Sequence, residues 1–114
     1  MICIADYAFA GCTALQQIEL PSSLEAMTGS CFSGCTALKD VKLPIYLKRI
    51  GFSTFASCTA LTEIVIPHSV LTLGKSVFLD CEALSVIHCQ ADCQPDGWDT
   101  EWNGSLAMVK WSVK

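Results

Sequence analysis

The sequence has few charged residues and no long apolar run, and each shortage excludes a class of protein. Only 16% of its 114 residues are charged and 52% are hydrophobic. That excludes a disordered segment, which requires low hydrophobicity and high net charge. The longest uncharged stretches, Ala26 to Leu38 and Ile50 to Thr62, are interrupted by Ser, Thr and Gly. A membrane-spanning helix needs about 18 or more apolar residues, so no membrane span is predicted.

Basic side chains are scarce as well. Seven Lys and Arg against eleven Asp and Glu give a net charge of −4. Nucleic acid is therefore not expected as a partner, because phosphate contacts require clustered Lys and Arg. The segment from Met1 to Asp6 also lacks the positively charged start and apolar core of a signal peptide.

A repeat of 23 residues organises most of the chain. The same step separates the members of several columns, among them Phe9, Phe32, Phe55 and Phe78; Cys12, Cys35, Cys58 and Cys81; Leu15, Leu38, Leu61 and Leu84; and Ile18, Val41, Ile64 and Ile87. A unit this short cannot bury its apolar side chains alone, so successive units must stack around a shared interior. The repeat therefore predicts a solenoid.

Each unit contains one clear strand signal. In Leu61 to Pro67, Ile64 and Ile66 alternate with Glu63 and Val65, and the proline ends the pairing. Equivalent segments are Leu15 to Pro21, Leu38 to Pro44 and Leu84 to Gln90. Because stacked units run in the same sense, we expect these strands to form one narrow parallel sheet. The rest of each unit is expected to hold turns and a short second strand or a single helical turn.

The repeat resembles that of a known family. Its pattern, clearest from Leu61 through Ala83, is Leu-x-x-Ile-x-Leu-Pro-x-x-Leu-x-x-Ile-Gly-x-x-x-Phe-x-x-Cys-x-Ala. This is similar to the leucine-rich repeat of the BspA-like (Treponema pallidum type) cell-surface proteins. The resemblance implies a β-rich, right-handed leucine-rich-repeat superhelix with the parallel sheet on its concave face. It also implies a location at the cell surface or outside the cell, as part of a longer protein, and a role in adhesion.

The repeat columns divide the chain into two regions. Residues 1–93 are predicted to form about four repeats, the first truncated, and residues 94–114 a C-terminal cap. All three Trp lie in this last region, and Ala107 to Val113 alternates weakly, as one further strand would. Met1 occupies the column of Leu24, so the sequence enters mid-repeat. We therefore expect a fragment of a longer protein, or self-association through an uncapped N-terminal end.

Most of the eight cysteines fall in inward columns. Buried free Cys behaves as a small hydrophobic residue, and stacked side chains point in parallel, which disfavours disulfides. Cys89 and Cys93 replace Leu or Val and are expected inside, whereas Cys3 shares its column with Arg49 and is expected to be exposed. The only close pairs, Cys31 with Cys35 and Cys89 with Cys93, are both explained by the repeat, so no zinc site is predicted.

Catalysis and metal binding are not predicted. The only histidines, His68 and His88, lie beside or on a strand, whereas the repeat cysteines lie inside and cannot serve as accessible thiolates. Asp99 to Gly104 matches the first half of a calcium loop, but Lys110 occupies the position that requires a bidentate Glu. We therefore expect no enzyme activity, no metal and no cofactor.

A binding surface is predicted on the outward side of the strands. Its candidate residues are Gln17, Glu19, Asp40, Lys42, Glu63, Val65, Val86 and His88, with Tyr46 and His68 at the rim. Solenoids use such extended faces for recognition. The leading hypothesis is a non-enzymatic surface recognition or adhesion module that binds a protein or glycan. The alternatives are a structural stalk without its own ligand and a scaffold within a larger multidomain enzyme.

Overall fold

Within residues 2–113, nine short parallel strands wind the chain into a β-solenoid. The computed structural model describes residues 2–113, and within that range it contains no helix, so none that could cross a membrane. The strands are β1 (Ile2–Ile4), β2 (Gln17–Glu19), β3 (Leu24–Met27), β4 (Asp40–Lys42), β5 (Arg49–Ile50), β6 (Glu63–Ile66), β7 (Thr72–Leu73), β8 (Val86–Cys89) and β9 (Met108–Lys110).

The strands stack in two columns. The first strand column contains β2, β4, β6, β8 and β9, and the second strand column contains β1, β3, β5 and β7. The pairs Ile18↔Val41, Ile64↔Ile87 and Met27↔Ile50 keep the 23-residue step of the sequence. The predicted parallel solenoid is confirmed, and the second half of each unit forms a short strand rather than a helical turn.

The expectation of one continuous sheet along the first strand column is wrong. β2 pairs with β4 and β6 pairs with β8 and β9, but within the described residues β4 and β6 lie side by side without a hydrogen-bonded ladder. Gln90 N–H donates to Ile66 O at 3.1 Å and extends the β6–β8 ladder, whereas Pro67, at the equivalent position, has no N–H to donate toward β4. Proline alone does not explain the gap, because Pro44 occupies the same column and β4 still pairs with β2.

Phenylalanine rings form the centre of the core. Phe9, Phe32, Phe55 and Phe78 stack nearly parallel, with centroid distances of 5.2, 5.6 and 5.8 Å between successive rings. The last three rings are fully buried, and Phe9 is half-buried. The Phe column predicted from the repeat therefore packs each coil onto the next.

Glycine at one repeat position permits close contact between coils. Gly51 and Gly74 have ordinary φ values, so they are not required for a left-handed turn. A Cβ on Gly51 would lie 2.7 Å from Gly29 N, and one on Gly74 would lie 2.7 Å from Phe52 Cα. The left-handed residues of this turn lie two positions further on, where Ser53 and Ser76 have φ of 51° and 58°.

The C-terminal segment packs over the last coil. Trp98 and Trp102 are buried, and Trp102 meets Phe78 edge-on at 6.3 Å. Trp98 Nε1–H donates to Val70 O at 3.1 Å, so the buried indole satisfies its polar group. The predicted final strand is confirmed as β9, which pairs with β8. The boundary at residue 93 stays a prediction.

The cysteines follow the repeat with one exception. All eight lie in the described part of the chain and are free thiols there. Cys58 and Cys81 are buried and donate to the Phe32 and Phe55 carbonyls at 3.3 and 2.9 Å. Cys3 is exposed as predicted. The expectation that Cys93 points inward is wrong, because the chain bends out of the coil at Ala91–Cys93 and leaves this thiol exposed.

Candidate binding surface

The outward side chains of the first strand column form two rows, which we call the strand face. Strand pairing places equivalent residues side by side, and β4 and β6 are neighbours across the open junction. The leading row, nearer the start of each strand, contains Gln17, Asp40, Glu63, Val86 and Met108. The trailing row, two residues later, contains Glu19, Lys42, Val65, His88 and Lys110. The eight strand residues predicted as a site therefore lie on one surface.

The sequence did not indicate two members of this surface and one exposed residue beside it. Met108 and Lys110 extend the rows through β9, and Met108 is 63% exposed. The weak alternation from Ala107 to Val113 predicts strand β9, and the same alternation would have placed Met108 and Lys110 on the strand face. Ile45, 68% exposed, follows Pro44 at the end of β4, where no periodicity indicates which way it points.

From β4 onward, the negative and positive charges of the strand face lie in different rows. The leading row carries the carboxylates of Asp40 and Glu63, and the trailing row carries the ammonium groups of Lys42 and Lys110. Glu63 Oε2 lies 3.6 Å from Nε2 of His88, which is half-buried on the neighbouring strand. Neighbouring members of a row lie about 4.8 Å apart and the rows about 6.6 Å apart, since a strand rises about 3.3 Å per residue.

A groove opens in this face at the unpaired junction, and we call it the seam groove. Its volume is about 430 Å³, and it lies between Asp40–Leu43 and Glu63–Val65, with Ile45, Pro67 and Gln90 completing the wall. Ile45 and the 42% exposed Val65 give it apolar walls beside the carboxylates. Ligand pockets typically combine an apolar lining with a few convergent polar groups.

The two rim residues lie where the sequence indicated. Tyr46 is 62% exposed in the turn that follows β4, and His68 is exposed just after β6. The backbone N–H of His68 donates to Gln90 Oε1 at 3.1 Å, which ties this turn to the groove wall. Both side chains lie near the C-terminal ends of the strands.

The comparisons with known proteins identify the repeat. The family model for the BspA type leucine-rich repeat region, in six copies, matches residues 1–95. The chain belongs to this family. Among the curated proteins no match was found.

Two solved structures resemble this BspA-type chain. A leucine-rich repeat protein from T. pallidum aligns over 98% of the chain with a TM-score of 0.63 and 25% sequence identity. One from Bacteroides ovatus aligns over 76% with a TM-score of 0.45 and 25% identity. The chain spans 63% of the first protein and 34% of the second. Leucine-rich repeat proteins generally mediate protein interactions and are typically non-enzymatic.

A second depression lies on the opposite side of the BspA-type solenoid. It measures about 570 Å³ and crosses the second strand column past Ala26, Arg49 and Thr72. The backbone that lines it is already paired, since Gly51 N–H donates to Met27 O at 2.7 Å and Gly74 N–H to Ile50 O at 2.9 Å. Although this depression is larger, we favour the seam groove because it combines unpaired strand edges, apolar walls and opposite charges.

Burial disfavours ionisation of the thiols in the BspA-type core. Burial raises the pKa of Cys31, Cys58 and Cys89 to about 12, which leaves them protonated at neutral pH. Among residues 2–113 no three His, Cys, Asp or Glu side chains are grouped to hold a metal ion. In the calcium-like segment Asp99 Oδ1 instead accepts a bond from Glu101 N–H at 2.8 Å, which closes a turn.

Proposed function

We propose that this chain is a non-enzymatic recognition module that binds a protein or glycan through its strand face. We further propose that it acts at the cell surface or outside the cell, as part of a longer protein. The observation that carries the proposal is the strand face itself, two rows of outward side chains with the seam groove between β4 and β6.

The strand ladders favour recognition because the surface is formed before binding. Ile64↔Ile87 and Val65↔His88 are held in register, and the side chains beneath the face, among them Ile64 and Ile87, are fully buried. A preorganised surface loses little conformational entropy on binding, so more of the contact energy appears as affinity. Membership of the BspA-type family supports the same function, since these repeats generally mediate protein interactions.

A matched pair of variants tests the proposal. Glu63→Ala with Val65→Ala removes a carboxylate and an apolar contact from the seam groove. Leu71→Ala with Glu101→Ala removes the same two kinds of side chain from exposed positions outside the strand face. Both double variants should fold, because surface substitutions usually change stability by less than about 0.5 kcal/mol each.

The assay is biolayer interferometry against immobilised extracellular proteins and glycans. We expect the strand-face variant to weaken binding by about 10-fold or more, the range of a residue near the centre of an interface. The control variant should bind like the unmodified chain. No binding by the unmodified chain, or equal binding by both variants, would favour the stalk or the scaffold alternative.

A further inference from the structure

We propose that the seam groove binds an extended peptide segment in which a basic and an acidic side chain are separated by one residue. The inference rests on the proposed function and names the class of its ligand. It follows from the row charges and the apolar walls of the groove.

The charge arrangement favours a ligand that carries both a positive and a negative side chain. From β4 to β9 the leading row carries only negative charge, on Asp40 and Glu63, and the trailing row carries Lys42 and Lys110 with no carboxylate. Asp40 and Lys42 are i and i+2 on one strand, so their side chains emerge on the same face about 6.6 Å apart. A cation bound at the leading row would place an anion at the trailing row if the ligand has the same spacing.

An extended peptide has that spacing. In a strand-like chain, residues i and i+2 point to one side at the same interval as Asp40 and Lys42. Residues i and i+1 point to opposite sides, and in a helix i and i+2 do not share a face. A basic residue, one spacer and an acidic residue therefore match the groove in either chain direction.

The groove walls suit the remainder of such a segment. Lys and Arg bury their aliphatic stems against apolar surface while the charged group stays solvated. Ile45 and Val65 provide that surface beside Asp40 and Glu63. Between β4 and β6, both within the described residues, no hydrogen-bonded ladder forms, but the two strands lie closer together than the about 9.6 Å that an inserted strand would need. A bound peptide therefore lies over the face and is held through its side chains.

Two peptides of identical composition isolate the spacing. The first repeats Lys-Thr-Glu-Thr, which places Lys and Glu on one face of an extended chain. The second repeats Lys-Glu-Thr-Thr, which places them on opposite faces. Each is titrated into the 114-residue chain, and affinity is measured by fluorescence anisotropy at low and at high salt. We expect the first peptide to bind at least 5-fold more tightly, with the difference falling at high salt.

Charge-removal variants locate the site. Asp40→Asn with Lys42→Gln keeps the net charge but removes both charges of this pair from the groove. Lys75→Gln with Glu101→Gln removes an exposed ion pair, 3.6 Å apart, away from the strand face. The first variant should abolish the preference between the peptides, and the second should preserve it. Circular dichroism of both variants checks that the solenoid is intact.

Two outcomes overturn the inference: equal binding of the two peptides, or a preference that survives the removal of both charges in the Asp40→Asn, Lys42→Gln variant. Failure here is distinguishable from failure of the proposed function. If neither peptide binds but the Glu63 and Val65 double variant loses binding to a protein or glycan, recognition by the strand face stands and the peptide class is wrong. If that variant also binds every partner unchanged, both proposals fail.

Discussion

Replacing Phe55 by Ala should destabilise the solenoid more than the same change at Phe9. Phe55 is fully buried, with ring neighbours at 5.6 and 5.8 Å, whereas Phe9 is half-buried with one neighbour at 5.2 Å. Burying a Phe contributes about 1.5–3 kcal/mol and each ring pair about 0.5–1.5 kcal/mol. Two pairs plus a cavity give about 3–5 kcal/mol for Phe55→Ala. One pair and partial burial give about 1–2.5 kcal/mol for Phe9→Ala.

Guanidinium chloride unfolding measures both losses. Circular dichroism reports the whole solenoid, and fluorescence reports the C-terminal segment that contains Trp98 and Trp102. With an m-value of about 3–4 kcal/mol/M, Phe55→Ala should lower the midpoint by about 1 M. Phe55→Leu is a smaller change and should lower the unfolding midpoint by about 0.3–0.5 M. This variant provides the comparison if Phe55→Ala does not fold. Equal losses at Phe55 and Phe9 would refute the idea that stacking on both sides sets the energy.

Three further predictions concern the thiols and the glycine contact. In the native chain Cys3 and Cys93 should react with Ellman's reagent and the buried thiols should not, while denaturation should release all eight; a total well below eight would reveal disulfides. Because burial raises the pKa of Cys58 to about 12, the stability gained by keeping this thiol buried and protonated is complete below about pH 9 and declines progressively between about pH 9 and 12. Urea titrations at pH 8 and 10 should therefore show a loss of about 1 kcal/mol for each such thiol. Gly74→Ala should cost about 1–3 kcal/mol, read from the urea midpoint, because the new methyl group would meet the Phe52 backbone.

The repeat made most of the fold predictable. A gapless step of 23 residues requires equivalent positions to stack, so the registers Ile18↔Val41 and Ile64↔Ile87 follow from spacing alone. The same step predicted the Phe core and eight strand-face residues. The prediction failed where the repeat ends, since the column that places Cys93 inside no longer describes the chain after Cys89.

The seam groove could not be predicted in the same way. The repeat treats every junction as equivalent, whereas ladder formation depends on the individual hydrogen bonds that each pair of coils can make. Pro44 and Pro67 occupy the same column and both lack an N–H, yet β4 pairs with β2 and β6 does not pair with β4. Ile45 was missed for a related reason, because side chains in a turn follow the local path of the chain and have no periodicity.

Hydrogen exchange with a bound partner tests recognition by the strand face most directly. Amide exchange of the full chain is followed by mass spectrometry, with and without the tightest-binding protein or glycan from the interferometry panel. The account predicts slower exchange in β4, β6 and the turn at Ile45 and Tyr46, with β5 and β7 unchanged. Protection confined to β5, β7 and the depression beside Arg49 would contradict it, because the ligand would then occupy the opposite face.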